Sequence, residues 1–172
     1  MDFKKKKYTV IRQAIPKDLA TFVANYFSMK KQVYDTCRQT RFISPYETLL
    51  GEYEGADGQI PHTYSSYSDI VMETLMLKCQ PVMEKITGLK LNPAYTFARI
   101  YKKGDVLKRH KDRFSCEIST TMNLGGDEWP LYLDPTGASN VINEKQNLIK
   151  PNAPKGIKVD LKPGDMLVYS GC

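Results

Sequence analysis

The sequence predicts an α+β protein: helices come first, and a run of short strands follows that closes into a β-sandwich or barrel. Three observations predict it. Apolar residues recur at 3.6-residue spacing in two early stretches, near 16–35 and 69–85. From about Leu89 the apolar period changes to two. Turn clusters rich in Gly, Asp and Pro then cut the remainder into pieces of strand length. The 172 residues give room for one domain with a real core. Within it, residues 1–93 read as helical support and a lid, and 94–172 as the β core.

Taken in order, residues 8–11 (Tyr-Thr-Val-Ile) form a short strand of β-branched and aromatic residues. A helix follows to roughly Asp35, with Pro16 in its first turn and Leu19, Phe22, Val23, Tyr26 and Phe27 on one stripe. Residues 44–68 carry Pro45, Gly51, Gly55, Gly58 and Pro61 with Tyr46, Tyr53, Tyr64 and Tyr67 between them. Such a long irregular segment reads as a lid that packs its aromatic rings on something. Ser66 and Asp69 make an S-x-x-D capping signal, with Ser68 as an alternative cap. The second helix runs through Ile70, Val71, Thr74, Leu75 and Leu77, is expected to kink or restart at Pro81, and ends at Gly88. Six strands are then expected at 94–101, 106–110, 117–124, 129–133, 157–161 and 166–170. The gap from Pro135 to Gly156 reads as a polar loop. Nothing repeats internally.

Composition narrows the class. Hydrophobic residues at 41% and charged residues at 26% exclude a disordered tail and a membrane-buried protein. No apolar run approaches the ~20 residues of a membrane-spanning helix. The charged start has no apolar stretch after it, so no signal peptide is expected and the expected location is cytoplasmic. The net charge of +6 owes four units to Lys4, Lys5, Lys6 and Lys7. Without them 21 basic residues face 19 acidic ones, so a nucleic-acid binder is not implied. The lysine run itself reads as a solvated tail. Cys37, Cys79, Cys116 and Cys172 lack metal-ligand spacing, which excludes a zinc finger, and a disulfide framework is not expected. His62 and His110 are the only histidines, so a mechanism needing several imidazoles has nothing to draw on.

The chemistry concentrates at His110-x-Asp112. On or just past a strand, residues two apart leave on the same face. An imidazole nitrogen and a carboxylate oxygen presented together are two thirds of the 2-His-1-carboxylate triad that holds Fe(II) with open positions. The tripeptide also arises by chance, and a surface pair is the plain alternative. Around it stand Lys102, Lys103, Lys108, Arg109, Lys111 and Arg113 against Asp105 and Asp112. Alternation places Lys108 on the His110 face. A basic mouth attracts an anionic co-substrate or target. An ordinary solvated strand edge explains the same charges.

The ordered set of Tyr101-x-x-Gly104-Asp105, His110-x-Asp112, the strand from Glu117 to Leu124, Trp129-Pro130, and Lys162-Pro163-Gly164-Asp165-Met166-Leu167-Val168-Tyr169-Ser170-Gly171 resembles the Fe(II)/2-oxoglutarate-dependent dioxygenases, prolyl-4-hydroxylase-like branch. The resemblance covers about 94–171 and extends more loosely to the preceding helices. It implies a double-stranded β-helix, or jelly roll, backed by N-terminal helices. It implies hydroxylation of a substrate, a peptidyl proline, another side chain, a metabolite or a nucleobase, coupled to decarboxylation of 2-oxoglutarate to succinate. The cofactor set it implies is Fe(II), 2-oxoglutarate as co-substrate, and ascorbate as a candidate addition. The partners are that small molecule and a protein or metabolite substrate, with no membrane. Carried over, His110 and Asp112 match iron ligands, and Tyr101 matches a tyrosine lining the 2-oxoglutarate pocket. Thr121 and Asn123 lie on a strand that offers donors to the co-substrate. A half-buried strand aromatic and core threonine packing explain Tyr101 and Thr121 equally. Lys108, His62 and Tyr64 make a candidate substrate mouth.

The family pattern continues with a distal histidine and then an Arg or Lys for 2-oxoglutarate, whereas the sequence stops at Cys172. The expectation is a shortened chain lacking its last strands and turnover. Alternatives are a metal-free binding module on the same scaffold, or His62 as a substitute ligand.

Overall fold

A computed structural model describes residues 3–53, 59–137 and 156–171. The chain is mixed α/β with antiparallel sheets. Its elements are α1 (Phe3–Lys6), β1 (Tyr8–Ile11), α2 (Lys17–Gln39), β2 (Ser65–Tyr67), α3 (Ile70–Thr87), β3 (Phe97–Arg99), β4 (Ile118–Met122), β5 (Leu131–Leu133), β6 (Ile157–Val159) and β7 (Met166–Ser170). They belong to two compact units. One comprises Met1–Thr21, Pro81–Leu91 and Arg109–Cys172; the other comprises Phe22–Gln80 and Asn92–Lys108.

The first unit is built on the sheet β1-β7-β4, with β7 in the centre. Met166, Leu167 and Val168 of β7 are all buried, as a central strand with both faces covered demands. Tyr169 sits opposite Tyr8 on one side and Ser119 on the other, and Leu167 opposite Val10 and Thr121. These residues share one face of the sheet, because directly paired residues and residues two apart do so. The hairpin β5-β6 packs on that face. Leu131, Leu133, Val159 and Leu161 join Tyr8, Val10, Leu167 and Tyr169 in one apolar cluster.

The turn before β7 shows why Pro163-Gly164-Asp165 stands there. Gly164 has φ +91°, and a Cβ on it would lie 2.5 Å from the Ile15 carbonyl oxygen, so only glycine fits. Asp165 is buried and ties three segments together. Its carboxylate accepts from Arg12 (2.6 Å), the Gln13 amide (2.9 Å) and the Lys162 amide (3.0 Å).

The second unit holds the β2-β3 ladder and an aromatic cluster. The Tyr64 ring contacts Phe27, Tyr34 and Tyr53 at centroid distances of 5.2, 5.8 and 5.6 Å. Its hydroxyl donates to the Leu50 carbonyl. Asp69 caps α3: its Oδ1 accepts from the Val71 and Met72 amides, and its Oδ2 from Lys30 (2.5 Å) and Tyr26 (2.8 Å).

Several expectations need correction. The four lysines are exposed, as expected of a solvated run, but they lie largely in α1, where the Lys7 amide donates to the Phe3 carbonyl (2.7 Å), rather than in a tail. Asp69 is the cap; the Ser66 hydroxyl instead accepts from Lys30 (3.1 Å). α3 continues through Pro81 without a break. The segment expected to be irregular contains β2, which pairs with β3. No strand forms at 106–110. The polar loop expected from Pro135 to Gly156 falls almost wholly outside the described residues, as do Gly55, Gly58 and Cys172. No described helix is long and apolar enough to cross a membrane.

Candidate metal centre

His110 and Asp112 lie in the first unit, on the irregular segment that leads to β4. The same-face argument for them rested on a strand that does not form. Their side chains converge nonetheless, with His110 Nε2 3.5 Å from Asp112 Oδ1. Backbone bonding to the end of β7 locates Asp112. Its amide donates to the Gly171 carbonyl (2.8 Å), and the Gly171 amide donates to the Glu117 carbonyl (3.0 Å). This extends the β4-β7 ladder and pins the 110–112 segment to its rim.

The Asp112 carboxylate is partly buried, at 21% exposure. Burial pushes its pKa up, but His110, Ser119 and Tyr169 together outweigh burial and hold it below the usual carboxylate range. The Tyr169 phenol is pushed well above its ordinary value, first by burial and then by the Asp112 charge beside it. Asp112, Ser119 and Thr121 lie close enough to the Tyr169 phenol to act on its ionisation. The Ser119 hydroxyl is within reach of Asp112 and of the Cys116 carbonyl (3.2 Å). The pairing of Ser119 with Tyr169 places both on the Asp112 side of the sheet.

The donor set fits part of an iron site. A neutral imidazole and an ionised carboxylate suit Fe(II). Nε2 and Oδ1 stand 3.5 Å apart, close enough that both would reach one bound ion. Among the described residues, no group of three or more His, Cys, Asp or Glu side chains converges to hold an ion.

The remaining sequence candidates are placed as follows. Thr121 is on β4, opposite Leu167 of β7 and on the same sheet face as Tyr169. The Asn123 carboxamide donates to the Leu161 carbonyl (2.7 Å) and accepts from the Gly125 amide (2.8 Å), so it shapes the turn after β4. Tyr101, Lys108, His62 and Tyr64 belong to the second unit. There Arg99 stacks over the Tyr101 ring (5.5 Å), and the His62 carbonyl accepts from Lys102 (2.6 Å). Tyr64, at 1% exposure, is a core ring of that unit and presents no surface to a substrate. Lys108 is exposed, but without a strand the alternation that aligned it with His110 has no basis. Sequence reasoning missed Ser119, Tyr169 and Gly171 as neighbours of Asp112. The available signal was the Y-x-G at the end of β7, whose ladder runs back along β4 toward the H-x-D segment.

Neither a protein-family model nor a curated protein matches the sequence. Among solved structures, the chain is similar to a prolyl-4-hydroxylase from Pseudomonas putida, with 13% sequence identity and a TM-score of 0.52. The match covers 99% of this chain and 83% of that one. At this identity the likeness shows the fold: a prolyl-4-hydroxylase-like scaffold.

Proposed function

We propose that the chain is an Fe(II)- and 2-oxoglutarate-dependent dioxygenase domain, built on a double-stranded β-helix, that hydroxylates a protein side chain or a metabolite. The observation that carries this reading is the convergence of His110 Nε2 and Asp112 Oδ1 on a segment pinned to the rim of the sheet. The scaffold likeness supports it. His110 and Asp112 are the residues that hold the metal. When bound, the iron supplies activation of oxygen, driven by decarboxylation of 2-oxoglutarate to succinate. The chain holds the donors and keeps Asp112 ionised. Thr121 is the proposed contact to 2-oxoglutarate.

The test is twofold. Mn(II) titrated anaerobically into the isotopically labelled chain should broaden the His110 and Asp112 resonances first, and His110→Ala should abolish the effect. Succinate release from 2-oxoglutarate in the presence of Fe(II), with or without ascorbate, then reads the reaction. Broadening spread evenly over exposed carboxylates, with no succinate above the iron-only control, would sink the reading and favour a metal-free binding module.

A further inference from the structure

The C-terminal end of α2 and the segment after it form a cleft of about 520 Å³ within the second unit. Arg38, Arg41, Phe42, Ile43, Ser44 and Pro45 line it. That volume suits a bound small molecule. Among the described residues, no carboxylate pairs with either guanidinium. The acids nearest in sequence are engaged elsewhere: Asp35 accepts from Lys31 (2.6 Å) and Tyr53 (2.7 Å), and Glu47 from the Leu49 amide (2.5 Å). Nor does the helix end need the two arginines. The Thr36 carbonyl accepts from the Thr40 amide (2.9 Å), the Cys37 carbonyl from the Phe42 amide (2.8 Å) and the Arg38 carbonyl from the Arg41 amide (3.2 Å). Arg41 nevertheless holds φ +55°, where a helix end ordinarily takes glycine. Ser44 Oγ accepts from the Tyr46 amide (3.2 Å), which leaves its O–H to donate. Phe42 is 82% exposed.

We propose that this cleft binds a phosphate monoester joined to a flat ring, the chemistry of a nucleoside monophosphate, with Arg38, Arg41 and Ser44 on the phosphate and Phe42 on the ring. Charge and donor count select the phosphate. A phosphate monoester carries about −1.5 to −2 charges at pH 7 and three acceptor oxygens. Two guanidinium groups and a hydroxyl match that group, whereas a single carboxylate would leave one cation unmatched. Guanidinium forks also hold phosphate oxygens in pairs. An exposed phenyl ring beside them offers a stacking face to a base. The same reading accounts for Arg41. Glycine would suit its backbone better, but only a basic side chain there adds the second positive charge. The proposal is independent of the iron reading, since it uses neither His110 nor Asp112 and needs no metal.

The experiment titrates adenosine 5′-monophosphate into the full chain without metal, read by calorimetry and by the amide shifts of residues 38–45. It should bind about 10-fold or more tightly than inorganic phosphate, which lacks the ring, and than adenosine, which lacks the charge. Arg41→Gly should weaken binding about 10-fold or more while raising the thermal midpoint, because glycine adopts φ +55° without strain. Arg38→Ala places a strong helix former on an exposed position, so the fold stays intact while binding weakens to a similar degree. Phe42→Ala should cost about 10-fold for the nucleotide and nothing for inorganic phosphate. Lys17→Ala removes one charge from the other end of α2 and should leave binding unchanged. Nucleotide binding no tighter than that of inorganic phosphate and adenosine would overturn the proposal. So would an Arg41→Gly chain that is more stable and binds as before. Equal losses in Lys17→Ala and Arg41→Gly would also overturn it, since net charge would then account for both. Nucleotide binding in a chain that releases no succinate would leave this proposal standing and count only against the iron reading.

Discussion

Asp69 and Asp112 are both partly or fully buried carboxylates held below the usual range, and they stand in different surroundings in the two units. At 2% side-chain exposure, Asp69 accepts from four donors: Lys30, Tyr26 and the amides of Val71 and Met72. Burial raises its pKa, and these bonds together overcome burial. Its lone pairs are filled, which makes it a fastener between α2 and the start of α3 within the second unit. Asp112 is ten times more exposed, and the group 3.5 Å from its Oδ1 is an imidazole nitrogen that suits a shared ion. The contrast teaches that a depressed carboxylate pKa does not by itself mark a functional site. What separates the two is the company they keep: two amides, an ammonium and a phenol on Asp69, and an imidazole beside Asp112.

Breaking the fastener should have the largest effect. Asp69→Ala strands Lys30, whose side chain is 10% exposed, and removes the cap of α3. Removal of one partner from a buried pair costs about 3–5 kcal/mol, so chemical denaturation should show a loss of that size. A loss under about 1 kcal/mol would mean that Asp69 is not the fastener described.

Acid should sharpen the comparison next. Asp69 has a lower pKa folded than unfolded. Its contribution is therefore fully present above the unfolded value of about 3.9 and is lost as pH falls through the folded value. Each carboxylate of this kind adds at most about 1.4 kcal/mol per pH unit to the slope of stability in that window. Stability measured from pH 5 downward should fall less steeply in Asp69→Asn than in the unmodified chain. Identical slopes would show that Asp69 titrates no differently when folded.

The smallest stability effect belongs to the site. Asp112→Asn keeps the shape and the amide bond to Gly171, and should change stability by about 1 kcal/mol or less. Mn(II) binding should nevertheless disappear. A variant that unfolds, or one that still binds, would reverse the assignment of the two aspartates.

Legibility follows the range of the forces involved. β1 and β7 are found where β-branched and apolar runs predict them, because a strand rich in such residues is stable against most neighbours. The two long helices follow from apolar periodicity, with ends displaced by a few residues. β2 is Ser-Ser-Tyr, and no local pattern announces it. It is a strand because β3 offers it a ladder, with Ser66 opposite Ala98. The cap passed from Ser66 to Asp69 because Lys30 and Tyr26, far away in sequence, gather on the aspartate.

At the candidate site the same division holds. Residue types alone nominated His110 and Asp112, since an imidazole and a carboxylate two residues apart are chemically legible wherever they occur. The strand alternation invoked to bring them together was absent. Their convergence came instead from a hydrogen bond across 59 positions of sequence, Asp112 to Gly171. Tyr169, Ser119 and Gly171 became visible as neighbours only through the β4-β7 register, because which hydroxyl meets which carboxylate depends on strand pairing. Chemistry and secondary-structure period reside in single residues and short windows, so the sequence by itself determined the mixed helix-and-strand class, the two long helices and the strongest strands, and nominated His110 and Asp112. Pairing partners, caps and the surroundings of Asp112 are contacts between distant segments, and only the tertiary structure decided them.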